Sequence, residues 1–246
     1  MLRGRWADLH VHTVLSACAE VEMIPPLIVR QALALGLDWI AITDHNAAAN
    51  VRAVQQAAQG TDLVVSAGLE VESREEVHVL CLFDGADEAE AWAQEVANHL
   101  PPRRNDEQHF GAQFVVDANG DYVCTEERLL ATSVSLTIEQ IVSEVARLGG
   151  VAIPAHVDRP ANSLLANLGF VPPDLAVAGL EISRWTGSAA FREAHPELGA
   201  YGLVVSGDAH RLSEIVRRTC VVSRGASVRE LYRALRGEGD LSVAVV

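Results

Sequence analysis

The sequence predicts an α/β protein whose strands form a parallel layer or a barrel, and two observations lead to that prediction. Apolar, strand-like runs alternate along the chain with amphipathic, helix-like stretches, a pattern typical of parallel strand pairing. The chain has 246 residues, 49% of them hydrophobic, which is enough for a large buried core and matches the size of many α/β barrels. We see no repeat and no second domain, and therefore expect one domain over residues 1–246.

The predicted elements follow in order from a first strand that ends at "ADLHVHT" (7–13). The first helix has Pro at its start and Gly at its end, and Thr137 is a plausible cap of a later helix. Helices are predicted at 25–36, 50–60, 87–100, 137–150 and 227–237. Further strands are predicted at 37–45, 62–71, 76–83, 151–156, 178–183 and 202–210, with a final strand in "LSVAVV".

Residues 101–135 interrupt this alternation because they are polar and rich in turn-forming residues. Within them "DANGD" lies between "AQFVV" and "YVC", which is a strong signal for a β-hairpin. We expect this segment to be a small insertion over one end of the barrel, where it could act as a lid.

The charge composition restricts the partners. The net charge is −14, and an acidic surface repels phosphate backbones, so we expect no long nucleic acid as a partner. A small phosphorylated substrate is compatible, since a bound metal reverses the local field. All nineteen basic residues are arginine, which excludes Schiff-base chemistry, a P-loop lysine and a carbamylated-lysine metal bridge.

The cysteines and the amino terminus indicate the compartment. Four cysteines are scattered without a CxxC pair, and the chain shows neither a signal peptide nor a run of membrane-spanning length. We expect a soluble protein of a reducing cytoplasm that does not bind membranes.

Imidazoles and acids recur at the ends of predicted strands. His10 and His12 are one residue apart and would project to the same side of an extended strand, which suits a divalent metal. Two solvated histidines are an equally good reading of an isolated HxH. The carboxyl ends of parallel barrel strands open on one face, and the remaining candidates occupy or lie near such ends: Asp44, His45, Glu70, His78, His156, Asp208 and His210.

Several motifs together resemble the PHP (polymerase and histidinol phosphatase) superfamily. They are "DLHVHT", "AITDHN", "GLEV", a later strand histidine, "PAH" and "SGDAH", in the family's order over nearly the whole chain. The resemblance implies a distorted (β/α)7 barrel that carries two or three divalent metal ions. It also implies that the protein hydrolyses phosphoesters.

The resemblance further assigns ligands. His10, His12, Glu70 and Asp208 would hold the first metal. Glu70 would bridge to a second metal that His78 and His156 also hold, while His45 and His210 would hold a third. Asp44 is expected to orient a neighbouring ligand.

Many relatives complete the third site five to eight residues after the HxH, where this chain has "VLSACAEVE". Glu20 is our first choice there, Cys18 the second, and Glu22 is also within reach; otherwise only two metals bind.

This ligand set suits Zn²⁺, Mn²⁺ or Fe²⁺. The expected reaction is in-line attack of metal-bound hydroxide on the phosphorus of a small metabolite or nucleotide, with Asp208, His210 and Glu70 as catalytic residues.

Arg159 and Arg184 are candidates for binding the phosphate. Trp185 could flank a base or pack under its loop. Two alternatives remain: an amidohydrolase-like enzyme that cleaves C–N bonds, and a non-catalytic regulatory domain. The oligomeric state is open.

Overall fold

The computed structural model describes residues 1–246, which form eleven strands and eight α-helices. The strands are β1 (Arg3–Val11), β2 (Trp39–Ile42), β3 (Val64–Glu72), β4 (His78–Phe83), β5 (Phe114–Val116), β6 (Tyr122–Thr125), β7 (Val151–Pro154), β8 (Gly179–Ile182), β9 (Gly202–Val205), β10 (Thr219–Ser223) and β11 (Ser242–Val245). The helices are α1 (Pro25–Ala34), α2 (Val51–Ala57), α3 (Ala86–His99), α4 (Glu107–Phe110), α5 (Ile138–Arg147), α6 (Leu164–Leu168), α7 (Ser188–Ala194) and α8 (Val228–Leu235).

Seven strands form one curled sheet in the order β11-β10-β1-β2-β3-β4-β7. The parallel pair of β8 and β9 lies between its two edges, since β8 contacts β7 and β9 contacts β11. The result is a distorted barrel, which confirms the predicted fold class. No helix is both long enough and apolar enough to cross a membrane.

Strand directions differ from the expectation of parallel pairing. β1, β2 and β3 are parallel, but β4 runs antiparallel to both β3 and β7, and β10 runs antiparallel to β1. The link between β3 and β4 is only residues 73–77, too short for a parallel crossover. Because β4 is reversed, its first residue, His78, lies at the barrel rim where β3 ends.

The two faces of the strands have different roles. In β3, Ala67, Leu69 and Val71 belong to the larger apolar cluster, which also contains buried side chains of α1, α2, α3 and α5. Alternate side chains of a strand point to opposite faces, so Glu70 lies on the other side. A second cluster combines strand side chains such as Leu80 with buried residues of α8. The helices therefore support the strands while leaving polar residues to meet at the rim.

The insertion packs beside this rim. The side chain of Asn50 bonds to the backbone of Phe114 and Val116, and Asn46 bonds to the carbonyl oxygens of Leu130 and Thr132. Residues 101–135 thus lie against the loop that follows β2 and include the β5–β6 hairpin. The lid role and the single-domain organisation stay predictions.

Candidate metal centre

The two histidines at the end of β1 place their Nε2 atoms 3.1 Å apart, and both rings are fully buried. The Nδ1 atom of His12 lies 2.9 Å from the hydroxyl of Ser16, which lies 2.7 Å from the Asp44 carboxylate. A carboxylate only accepts, so Ser16 donates to Asp44 and accepts the Nδ1–H of His12. This leaves a lone pair on His12 Nε2, directed into the cluster. Asp44 therefore orients His12 through Ser16, as a supporting residue would.

His10 is oriented in the same way by an acid from another strand. Its Nδ1 lies 2.9 Å from Glu181 Oε2, on β8, and Glu181 is 1% exposed. The same carboxylate oxygen accepts a bond of 3.0 Å from the backbone N–H of His156. Glu181 thus fixes the His10 ring with its Nε2 lone pair facing His12, and also fixes the backbone of a second candidate ligand.

Glu70 lies at the centre of the cluster and contacts five imidazoles. Its Oε1 lies 2.8 Å from His78 Nδ1, 3.1 Å from His156 Nε2 and 3.3 Å from His10 Nε2. Its Oε2 lies 3.0 Å from His45 Nδ1 and 3.4 Å from His12 Nε2. Burial alone would raise the pKa of Glu70, but its electrostatic interactions with His78 and His10 hold it well below its ordinary value. A carboxylate placed in this way can bridge two cations.

Asp208 completes the group around His10 and His12. Its Oδ1 lies 3.2 Å from each Nε2 atom, and its Oδ2 lies 2.5 Å from the guanidinium of Arg159. The backbone of Asp208 (φ 44°) and of His156 (φ 29°) is left-handed. Such angles are costly for residues other than glycine and cluster at functional sites.

A third group is formed by His12, His45 and His210. The ring centroid of His12 lies 4.6 Å from that of His45 and 4.1 Å from that of His210. His210 Nδ1 donates to the Asp208 carbonyl over 3.0 Å, which leaves its Nε2 as an acceptor. Burial and the electrostatic interaction with His12 lower the pKa of His210 to about 3, so this imidazole is neutral near pH 7.

These donors fit divalent cations. The candidate ligands form three groups, and within each group the ligand atoms lie within 4.8 Å of one another. The groups are His10, His12, Glu70 and Asp208; His45, Glu70 and His78; and His12, His45 and His210. The Nε2 atoms of His10 and His12 face each other at 3.1 Å, and the buried Glu70 Oε2 makes no hydrogen bond of good geometry. Donor atoms packed so closely need positive charge between them, which protons or a bound cation can supply, and nitrogen with oxygen donors suits zinc, manganese or iron.

The family follows from the motifs around this centre. The profile of the PHP domain matches residues 8–131, half of the chain, and this segment contains His10, His12, His45, Glu70 and His78. The chain belongs to the PHP family. PHP proteins are metal-dependent hydrolases and bind divalent metal ions, which confirms the predicted resemblance and agrees with the donor set. No curated protein sequence matches the chain.

Solved structures share the PHP fold at low sequence identity. The lesion-specific endonuclease PfuEndoQ of Pyrococcus furiosus superposes with a TM-score of 0.65 at 18% identity, over 98% of this chain and 58% of that one. A proposed metal-dependent phosphoesterase of Bifidobacterium adolescentis superposes with a TM-score of 0.57 at 19% identity, over 86% of this chain and 90% of that one. The chain thus spans 58% of the length of the endonuclease.

The exclusion of long nucleic acid as a partner is wrong. One solved structure shows endonuclease Q bound to a 27-mer duplex substrate, with an abasic lesion of the duplex at the active site of the enzyme. It superposes with a TM-score of 0.62 at 18% identity, over 98% of this chain and 58% of that one. The exclusion depended on the net charge of −14. Net charge is a sum over the whole surface, whereas the field at a site depends on local arginines and bound cations. The net charge therefore does not exclude nucleic acid as a partner.

Two predicted residues lie outside the cluster. Glu20 pairs with Arg211 at 2.9 Å and is half exposed, because the loop turns it towards solvent. Cys18, our second choice, lies beside His45, and a hydrogen bond from that imidazole to the Cys18 sulfur helps to raise the pKa of His45 against the effect of burial. The guanidinium of Arg184 binds the Gly207 carbonyl and the Glu214 carboxylate, so it anchors a loop and does not face the cluster.

Two supporting acids were missed by the sequence analysis. In the sequence Glu181 reads as one polar residue in a short buried strand, and its contact with His10 in the structure shows its role. Asp8 is buried and accepts from the backbone N–H groups of Gly207 and Val216, at 2.9 and 2.8 Å. Burial raises the pKa of Asp8 to about 7. A signal was available for Glu181, since "GLEI" repeats the pattern of "GLEV" around Glu70.

Proposed function

We propose that the chain is a metal-dependent phosphoesterase that hydrolyses the phosphate ester of a small metabolite or of a nucleotide. The observation that supports this most is the buried cluster in which Glu70 contacts five imidazoles and Asp208 contacts two of them. The residues that would hold cations are His10, His12, His45, Glu70, His78, His156, Asp208 and His210. Cations bound there supply Lewis acidity, which polarises a phosphoryl oxygen and lowers the pKa of water.

The protein's own residues orient and protect that chemistry. Glu181 and the Ser16–Asp44 pair fix the rings of His10 and His12, which positions both rings before substrate enters. His210 is neutral, because its pKa is lowered to about 3 by burial and by the electrostatic interaction with His12. It therefore suits the role of a cation ligand, and a protonating role towards the leaving oxygen does not suit it.

Arg159 is the residue best placed to hold the substrate phosphate. One of its nitrogens bonds Asp208 at 2.5 Å, and 36% of its side chain is exposed. A guanidinium has five N–H donors in a planar fork, so the remaining donors can bind phosphate oxygens while the Asp208 contact keeps the group aimed at the cluster.

Phosphate release from a panel of substrates tests this proposal. Purified protein with added Mn²⁺ or Zn²⁺ should release phosphate from phosphomonoesters or nucleotides, and duplex DNA with an abasic site should be tested for nicking. We expect His12→Ala and Asp208→Ala to abolish hydrolysis while circular dichroism shows a folded protein. Hydrolysis that survives both changes would defeat the proposal, and cleavage of amides alone would favour a C–N hydrolase.

A further inference from the structure

An exposed tryptophan stands in the loop that follows β8. Trp185 is 78% exposed, although indole side chains are mostly buried in folded proteins. The guanidinium carbon of Arg184 lies 4.7 Å from the centroid of its ring. Arginine thus covers one face of the indole, and the high exposure leaves the other face open to a ligand.

The loop that holds Trp185 is fixed at several points. The carboxylate of Asp158 accepts bonds of 2.7 Å from both the backbone N–H and the hydroxyl of Ser183, and a further bond from Thr186. Arg184 is held by Glu214 at 2.9 Å and by the carbonyl of Gly207. The indole is therefore presented on a rigid support.

The same contacts tie this loop to the metal centre. Asp158 directly precedes Arg159, whose guanidinium contacts Asp208, and the Gly207 carbonyl that holds Arg184 directly precedes Asp208. Trp185 follows Glu181, the partner of His10, by four residues, which can span at most about 14 Å of backbone. The loop that carries Trp185 thus borders the ligand cluster.

We infer that the open face of Trp185 stacks on the base of a nucleotide whose phosphate is held at the metal centre by Arg159 and the bound cations. The inference rests on the proposed function and specifies its substrate class. Every nucleobase has a π face, so one indole accepts any base without hydrogen-bond readout. The same chemistry serves a free mononucleotide and a nucleotide within nucleic acid, and the experiment separates these two sources.

The first test compares two substrates that differ only in the base, AMP and ribose 5-phosphate. In Trp185→Ala we expect the ratio of kcat/KM for AMP to that for ribose 5-phosphate to fall about five- to 150-fold, mainly through KM for AMP. Trp185→Phe should restore most of this ratio. Tyr232→Ala is the matched control, because Tyr232 also lies against an arginine, Arg236, but on α8. An unchanged ratio in Trp185→Ala would overturn the inference.

The second test measures binding without turnover. A non-hydrolysable phosphonate analogue of AMP should quench tryptophan fluorescence in the wild type and not in Trp185→Phe. Quenching without hydrolysis of any phosphoester would refute the proposed function and keep the inference, while hydrolysis without quenching would do the reverse. A 5′-phosphorylated oligonucleotide that binds tenfold more tightly than the analogue identifies nucleic acid as the source of the base, and the opposite order identifies a free nucleotide.

Discussion

Hydrogen bonds on the outward ring nitrogens orient three imidazoles of the metal centre. Glu181 accepts from His10, Ser16 accepts from His12 and the Asp208 carbonyl accepts from His210. Each bond selects the tautomer that leaves Nε2 free to bind a cation. Loss of such a partner typically lowers metal affinity about 10- to 100-fold.

Glu181→Gln is expected to weaken metal binding while the protein stays folded. Glutamine has nearly the same shape but lacks the negative charge that makes His10 a stronger donor. We expect the Kd for Zn²⁺ or Mn²⁺ to rise about 10- to 100-fold, measured by competition with a chelating dye. Glu193→Gln, an exposed change on α7, is the control, and equal Kd values in the two variants would contradict the role of Glu181.

Arg159→Lys is expected to impair turnover more than folding. Lysine keeps the charge but loses the fork that can bind Asp208 and phosphate together. Charge-assisted hydrogen bonds contribute about 1.5–3 kcal/mol, so kcat/KM for a phosphoester should fall about 10- to 150-fold in steady-state assays. Arg147→Lys on α5, where the arginine pairs with Glu144, should match the wild type, and if Arg159→Lys does too, Arg159 does not hold phosphate.

At the scale of elements, α5 begins with a reciprocal cap. The Thr137 hydroxyl accepts from the N–H of Gln140, and the Gln140 side chain accepts from the N–H of Thr137. Removal of such a cap costs about 1 kcal/mol. Urea denaturation should show that loss of stability in Thr137→Ala, while Thr137→Ser stays close to the wild type; equal stability of all three would show that the cap contributes nothing.

Local pattern predicted some elements and could not predict others. Pro and Gly punctuation identified α1, and Thr137 identified the start of α5, because caps are decided within a few residues. The reversal of β4 depends on its pairing with β3 and β7, which no local pattern specifies. Likewise, strand-end position placed Asp208 near His10, whereas the role of Glu181 depends on a contact with a residue 171 positions away.

At the scale of the whole molecule, metal binding should stabilise the fold. The candidate ligands come from β1, β3, β4 and the segments after β2, β7 and β9, so one bound cluster links most of the barrel. A ligand that binds only the folded state at 100 times its Kd adds about 2.7 kcal/mol. Thermal melts should therefore shift upwards with Mn²⁺ or Zn²⁺ in the wild type, and Asp208→Ala should reduce the shift; no shift in the wild type would exclude strong coupling between metal binding and folding.

The central claim is that imidazoles and carboxylates from distant parts of the chain form a cluster that binds cations. Titration of chelator-treated protein with Zn²⁺ or Mn²⁺, followed by elemental analysis after desalting, tests it most directly. The structure predicts at least two ions per chain in the wild type and fewer in His12→Ala and in Asp208→Ala. A wild-type protein that retains no ion, or variants that retain as many ions as the wild type, would contradict it.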